Sequence, residues 1–306
     1  MDIFQSKNIK PMLISEEKEA FDDENYIYEL KLDGIRCIAY LDKNGVDLRN
    51  KRNDKVLFRY PELSQIYKQL NCENAILDGE LFILKDNKTN FFEMQRRSLM
   101  SDNFKIELDS KQLSVSFTAF DILYKDNEQL TDLTLIQRKE ILQNSIIENE
   151  RISISRYIEK DGKKLFELTT KNDLEGIVAK KKESKYYFDK RTKDWIKIKN
   201  FEDDDFVISG YIEKEANVTS IVIAQYNNDK LEYKGHVTLG ITNDALKTIK
   251  SQRKLDNPIF FKENAVWIEP KLTCVVKYME KTQTGGLRQP VFKGLSDKEP
   301  KDCKSK

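Results

Sequence analysis

Tyr26-Ile27-Tyr28-Glu29-Leu30-Lys31-Leu32-Asp33-Gly34-Ile35-Arg36 is the stretch from which the rest of the chain is read. Its first seven residues alternate. The two-residue period of a strand puts Tyr28, Leu30 and Leu32 on one face and Ile27, Glu29 and Lys31 on the other. The same arithmetic on Ile76-Leu77-Asp78-Gly79-Glu80-Leu81 sets Asp78 and Glu80 together, opposite Leu77 and Leu81. In Trp195-Ile196-Lys197-Ile198-Lys199 both lysines stand beside Trp195, with the isoleucines behind. Each strand therefore carries one unusually polar face, and convergence of those faces would make a site. Gly79 and Gly176 suit places where backbone approaches something bulky or turns.

Helices separate these strands. Thr134 and Gln137 have capping-box spacing ahead of Ile141, Leu142, Ile146 and Ile147, and a second helix is predicted over Phe91 to Leu99. From about Asp205 the pattern changes to strands at Phe206 to Ile212, Ser220 to Tyr226, Leu231 to Val237 and Lys271 to Lys281, with a helix near Asn243 to Gln252. That series predicts a small barrel of the oligonucleotide-binding type. The acidic run Glu202-Asp203-Asp204-Asp205 reads as a boundary and hinge, or as a solvated turn. The fold class is thus α+β, with domains expected at 1–201 and 202–306.

Composition bounds the chemistry. A chain of 306 residues, 39% hydrophobic, can build two ordinary cores, which excludes a peptide scaffold or a fibre. With 53 Lys+Arg against 52 Asp+Glu, a polyanion partner would need a local patch. One candidate runs from Lys180 to Lys199, where nine basic residues face three acidic ones. Cys37, Cys72, Cys274 and Cys303 lie far apart, so neither a zinc site nor a disulfide framework is indicated. His236 is the only histidine, which leaves little room for triads, two-His metal sites or His general bases. Chemistry is expected from Lys, Arg and carboxylates. A polar N-terminus and the lack of any apolar run near ~18 residues predict a soluble cytoplasmic protein with no membrane partner. The tail from Ser296 to Lys306, rich in Lys, Asp and Glu, is expected to be loosely ordered.

Lys31-Leu32-Asp33-Gly34-Ile35-Arg36 matches K-x-D-G-x-R. After it come, in order, Leu48-Arg49-Asn50, Asp78-Gly79-Glu80, Phe117 to Tyr124, Glu175-Gly176-Ile177-Val178-Ala179-Lys180 and Trp195 to Lys199. This series resembles the covalent nucleotidyltransferases: ATP-dependent DNA ligases, RNA ligases and messenger-RNA capping enzymes. Asp205 to Tyr211, Tyr233 to Val237 and Leu287 to Leu295 resemble the oligonucleotide-binding domain of compact bacterial ATP-dependent DNA ligases, above all the ligase domain of the bacterial end-joining ligase. The resemblance covers roughly Met12 to Leu295. It implies a nucleotidyltransferase (ATP-grasp-like ligase) domain of antiparallel sheets and helices followed by an all-β OB-fold barrel. It also implies an ATP-dependent DNA ligase that seals nicked duplex DNA through a lysyl-AMP intermediate, using ATP and Mg²⁺ as a monomer. An RNA ligase or capping-type enzyme with the same lysine is the alternative. A non-catalytic nucleic-acid-binding module is disfavoured, because each candidate catalytic position holds a competent residue. The large N-terminal DNA-encircling domain of nuclear ligases is not expected, nor the nicotinamide-binding domain of NAD-dependent ones. His236 is assigned no catalytic role.

The resemblance also assigns residues. Lys31 is the expected nucleophile. Its amine must be neutral to attack, and an ordinary lysine, with a pKa near ~10.4, is almost wholly protonated at pH 7; Lys197, Lys199 and Mg²⁺ are the nearby cations expected to lower it. Glu29 is expected to accept from the adenine amine, and Phe120 to stack on the base. Arg36 and Arg49 offer planar donor forks for ribose and phosphate oxygens. Glu80 and Glu175 are the expected Mg²⁺ ligands, Glu80 alternatively a ribose contact. Lys180, Lys197 and Lys199 take phosphate, and Arg288 orients pyrophosphate when the barrel closes over the ATP site. Lys185, Lys190, Arg191 and Lys193 are candidates for DNA-backbone contacts, while Tyr186, Tyr187 and Phe188 either pack on sugars or anchor a loop.

Overall fold

The computed structural model describes residues 2–85, 88–214, 218–260, 264–282 and 284–305. The chain divides into two compact units, 1–200 and 201–306.

In the first unit two sheets face each other. One runs in the order Leu13–Glu17, Arg191–Lys199, Gly176–Lys181, Tyr26–Leu30 and Tyr157–Glu159. The other runs Ile152–Ile154, Ser116–Lys125, Asn74–Phe82, Ile35–Asp42 and Gly45–Asn50, with Glu128–Gln129 beside Ser116–Lys125. Most pairs are antiparallel; Leu13–Glu17 on Arg191–Lys199 and Ile152–Ile154 on Ser116–Lys125 are parallel.

The alternation explains why both sheets are buried on both faces. Ile27 and Trp195 from the first sheet, and Ile38, Tyr40 and Ile76 from the second, share the core between the sheets. Tyr28, Ile196 and Ile198 point the other way, onto Leu165 and Phe166 of the helix Gly162–Lys171. Cys37, Ala39, Leu77 and Leu81 pack outward with Met94 and Leu142, which lie on the helices Phe91–Ser98 and Leu135–Ser145.

The capping box predicted at Thr134 is present, with Thr134 accepting from the Gln137 N–H and the Gln137 side chain accepting in return from the Thr134 N–H. The helix ends at Ser145, however, so Ile146 and Ile147 lie outside it. Ile146 still reaches the core, pairing as an isolated bridge with Leu70, whereas Ile147 is exposed. The first strand likewise stops at Leu30, two residues short of its predicted end, and Lys31 emerges beyond it.

The second unit is a five-stranded antiparallel sheet in the order Lys230–Val237, Thr219–Asn227, Glu202–Glu213, Val266–Tyr278 and Val291–Ser296. It curls around Phe206, Ile208, Ile221, Ile223, Cys274 and Phe292, and the helix Asn243–Lys250 inserts Ala245 and Ile249 into that core. This is the OB-fold that the strand spacing predicted.

Two expectations are corrected here. The acidic run is no solvated turn: just after the division between the units, Glu202 to Asp205 open the longest strand interaction of the barrel, paired residue by residue with Tyr278 to Val275. The single Tyr278 hydroxyl proton is shared between Asp204 at 2.7 Å and Glu202 at 3.0 Å, and Lys281 supplies a counter-charge to Asp204. The tail is not loose within its described residues. Cys303 is 1% exposed, the Tyr226 N–H donates to the Cys303 carbonyl at 2.8 Å, and Ser305 N–H donates back to Tyr226 at 2.9 Å. Lys298 pairs with Asp205. Backbone pairing, which charge composition does not encode, orders the segment.

Among the described residues, no helix is long and apolar enough to cross a membrane.

Candidate active site

The polar faces converge on a pocket lined by Glu29, Lys31, Arg36, Glu80, Phe120, Lys180, Trp195 and Lys197, all from the first unit. Register explains the convergence. Glu29 lies opposite Val178, and Val178 opposite Lys197. In the facing sheet Arg36 lies opposite Glu80. Phe120 reaches the pocket through a bulge: Asp78 pairs with Asp121 but Gly79 with Ala119, leaving Phe120 as the extra residue and re-aiming its ring. A Cβ on Gly79 would stand 2.4 Å from the Phe117 ring and from the Thr118 carbonyl, so glycine is required at this crossing.

At the mouth, the Lys31 ammonium pairs with Glu175 Oε2 at 2.6 Å. The Lys31 N–H donates to the Gly176 carbonyl, which brings nucleophile candidate and carboxylate together; Gly176 has φ of +133°, and a Cβ there would meet the Ile198 carbonyl at 2.1 Å. Burial pushes the pKa of Glu80 up to about 8, with Glu175 and Asp78 adding to the shift and Lys31 and Arg36 opposing it. Burial, then the neighbouring charges of Lys199 and Lys31, lower that of Lys197. Lys199 itself pairs with Glu17 at 3.3 Å and does not line the pocket.

At the floor, Glu29 does not pair with Lys31 as neighbours on one strand face would. Its carboxylate is 2% exposed, with Lys139 at 2.5 Å, Lys180 at 3.0 Å and the Ser155 hydroxyl at 2.7 Å. Burial alone would raise its pKa, but the two lysines outweigh it and hold the carboxyl below its usual range. Burial lowers Lys180 to about 8, Lys139 adding to the effect and Glu29 resisting it. The Lys180 ammonium sits 4.3 Å from the ring centroids of both Phe120 and Trp195. Sequence reasoning missed Lys139, which looks like any helix lysine in Leu135–Ser145; its one signal is position 139 next to Arg138 on the face that meets the sheet.

A second cleft adjoins the pocket and shares Arg36 with it, together with Lys10, Asn50, Lys51, Arg52 and Asp189. Arg49 lines neither space. Its guanidinium is held by Asp47 at 3.1 and 3.2 Å and by the Asn53 carbonyl, and its neighbours Lys51 and Arg52 face the cleft instead. Of the basic-loop residues, Lys185 pairs with Asp132, Lys190 stands over the Tyr187 ring, Arg191 donates to the Ile14 carbonyl and Lys193 pairs with Glu16. All four remain at the surface. Tyr186 is an anchor, 3% exposed. In the barrel, Arg288 pairs with Glu280 at 2.9 Å, and His236 is exposed.

Among the described residues no cluster of three or more His, Cys, Asp or Glu is arranged to hold a metal. The donors that fit a hard cation are Glu80 and Glu175. Mg²⁺ binds through one or two carboxylates and completes its shell with water and phosphate, and a carboxyl forced toward neutrality beside other carboxylates is a place where a cation would relieve repulsion.

Comparison with known proteins gives the same family throughout. Residues 9–199 match the family described as ATP dependent DNA ligase domain, and residues 214–299 match the ATP dependent DNA ligase C terminal region. The SPbeta prophage-derived DNA ligase-like protein LigB of Bacillus subtilis is 30% identical over 93% of this chain and 97% of its own length. The multifunctional non-homologous end joining DNA repair protein LigD of Mycobacterium tuberculosis is 26% identical over 98% of this chain, which spans only 40% of that protein. A solved mycobacterial DNA ligase D, complexed with ATP and MES, superposes with a TM-score of 0.59 at 25% identity, covering 98% of this chain and 99% of the other. The chain belongs to the ATP-dependent DNA ligases, in their compact bacterial form.

Proposed function

We propose that this ligase joins nicked duplex DNA in three steps, each assigned to residues of the pocket and cleft. Lys31 attacks the α-phosphorus of ATP, forming a P–N bond as the P–O bond to pyrophosphate breaks. An oxygen of the nick's 5′-phosphate then attacks that phosphorus, breaking the P–N bond and releasing the Lys31 amine, and the 3′-hydroxyl attacks the 5′-phosphate to form the phosphodiester as AMP leaves and the hydroxyl proton is lost. The observation that carries the reading is the place of Lys31: at the mouth of a pocket whose floor suits a base and whose walls carry cations.

The floor recognises the base. Phe120 and Trp195 offer ring faces, and Glu29 offers an acceptor fixed by Ser155 and two lysines. Lys180 bridges floor and phosphates. Lys197 favours the negative charge that leaves with pyrophosphate, and Lys199, on the same strand and held by Glu17, adds to that positive field. Before the amine can attack, the 2.6 Å ion pair between Lys31 and Glu175 must open. Glu80 and Glu175 would hold Mg²⁺, which supplies charge neutralisation at the phosphate oxygens when bound. The cleft beside Arg36, with Lys51 and Arg52, fits the 5′-phosphate of the nick, and Lys185, Lys190, Arg191 and Lys193 fit its flanking backbone.

A monomer suffices, since one chain supplies all the named residues. A reducing cytoplasm is consistent with four free cysteines. The test is incubation with α-labelled ATP and Mg²⁺, then with nicked duplexes of DNA, RNA and hybrid strands. Label on the protein and sealing of the DNA nick are expected; label without DNA sealing would contradict the assignment of substrate.

A further inference from the structure

Arg36 faces both the nucleotide pocket and the neighbouring cleft, so its orientation matters to every step that moves a phosphate. One edge of its guanidinium is already committed. Nε donates to Asp78 Oδ1 at 3.0 Å and Nη2 to Asp78 Oδ2 at 2.6 Å. The bidentate grip leaves Nη1 for a ligand. Phe120 and Trp195 flank the guanidinium at 5.2 and 5.8 Å from their ring centroids.

What holds Asp78 is a residue outside every motif used so far. Tyr186 lies in the basic loop between the strands Gly176–Lys181 and Arg191–Lys199. Its hydroxyl donates to Asp78 Oδ2 at 2.6 Å and accepts from the Met12 N–H at 3.0 Å. Asp78 is 0% exposed. With Asp78 shut off from solvent, three donors orient its carboxylate, two from Arg36 and one from the phenol. Burial, and then Asp78, push the phenol pKa well up, which favours the protonated, donating hydroxyl.

The ring is as firmly placed as the hydroxyl. It packs edge-on against Trp195 and Phe188, with the Arg138 guanidinium 5.9 Å from its centroid. The backbone N–H of Tyr186 donates to the Thr131 carbonyl at 3.0 Å. A tyrosine pinned at backbone, ring and hydroxyl is a strut from the basic loop to the arginine of the site.

We propose that Tyr186 is a positioning residue for ligation, setting Arg36 through Asp78 and by accepting directly from its Nη2 at 3.5 Å. The inference rests on the ligase reading above. It accounts for the burial of a tyrosine hydroxyl inside a loop rich in surface charge, and it ties the seating of that loop to the geometry of phosphate transfer.

The test is a double-mutant cycle on the full chain: wild type, Tyr186→Phe, Arg36→Ala and the double variant. Two single-turnover rates are read, that of labelling by α-labelled ATP and that of nick sealing by the pre-adenylylated protein. Tyr186→Phe is expected to slow both steps about tenfold at saturating ATP, the scale of one buried hydrogen bond that orients a charged group. The ATP concentration for half-maximal rate should stay within about threefold of wild type, because the base contacts are untouched. In the Arg36→Ala background the same change should cost less than about twofold. An equal slowing in both backgrounds, or no slowing in wild type, would overturn the proposal. Should Tyr186→Phe fail to fold, Tyr186→Met, which also removes the hydroxyl, replaces it in the cycle with the same expected non-additivity and the same overturning result. A wild type that does not label would defeat the ligase reading itself, and so is distinguishable from failure of this inference.

Discussion

Replacing Arg138 by Met should strongly destabilise the first unit. Arg138 and Asp121 are both 0% exposed and joined by two hydrogen bonds, at 2.8 and 2.9 Å. Nη1 also donates to the Leu133 carbonyl at 2.6 Å and to the Ser184 carbonyl at 3.0 Å. The residue thus ties the helix Leu135–Ser145 to the strand Ser116–Lys125 and to the start of the basic loop. In Arg138→Met the Asp121 carboxylate keeps one donor, the N–H of Ile122, and loses its counter-charge in a site without water. Breaking a buried pair from one side costs about 3–5 kcal/mol, and two unpaired carbonyls add to it. Against a total stability of about 5–15 kcal/mol, the variant should sit near the edge of folding. Urea denaturation followed by circular dichroism measures the loss. Arg138→Met with Asp121→Leu should recover part of it, because no charge is then stranded. A single variant within about 1 kcal/mol of wild type, or a double variant whose loss is the plain sum of the singles, would refute the reasoning.

Glu80→Gln should abolish labelling yet make the metal-free protein more stable around pH 7 to 8. Burial holds the folded carboxyl at a pKa of about 8 against the ordinary 4.5, so wild-type stability falls as pH rises from about 4.5 to 8, and the glutamine variant loses this fall; thermal melts at stepped pH read it, and equal slopes would exclude it. Gly79→Ala should leave little soluble protein, since a methyl at 2.4 Å from both ring and carbonyl has nowhere to go; expression with normal melting would contradict the bulge geometry. Thr134→Ala should cost about 1 kcal/mol through the capping box with labelling rate unchanged, and a loss below the error of a urea titration would show the cap to be idle.

How much of this was legible in the sequence can be judged residue by residue. The two-residue period correctly separated Glu29 from Tyr28, Asp78 from Leu77 and Lys197 from Ile198, because strands buried on both faces leave each side chain only two directions. The same rule overreached at Lys31, where the strand stops one residue earlier and the side chain finds Glu175, 144 residues along the chain. Partners brought in by tertiary packing carry no local pattern: Lys139 under Glu29, and Tyr186 under Asp78, read as a helix lysine and a loop aromatic. Arg49 illustrates the reverse, a motif residue whose own strand neighbour Asp47 holds it. The tail was misread because composition reports solvation, while Cys303 and Ser305 are ordered by backbone hydrogen bonds.

The central claim is that Lys31 carries AMP. The direct measurement is mass spectrometry of peptides from protein incubated with ATP and Mg²⁺ and quenched without DNA. An AMP adduct on the peptide containing Lys31, absent from Lys31→Ala and discharged when nicked DNA is added, is the predicted result. An adduct on any other lysine, or one that persists in Lys31→Ala, would contradict the account.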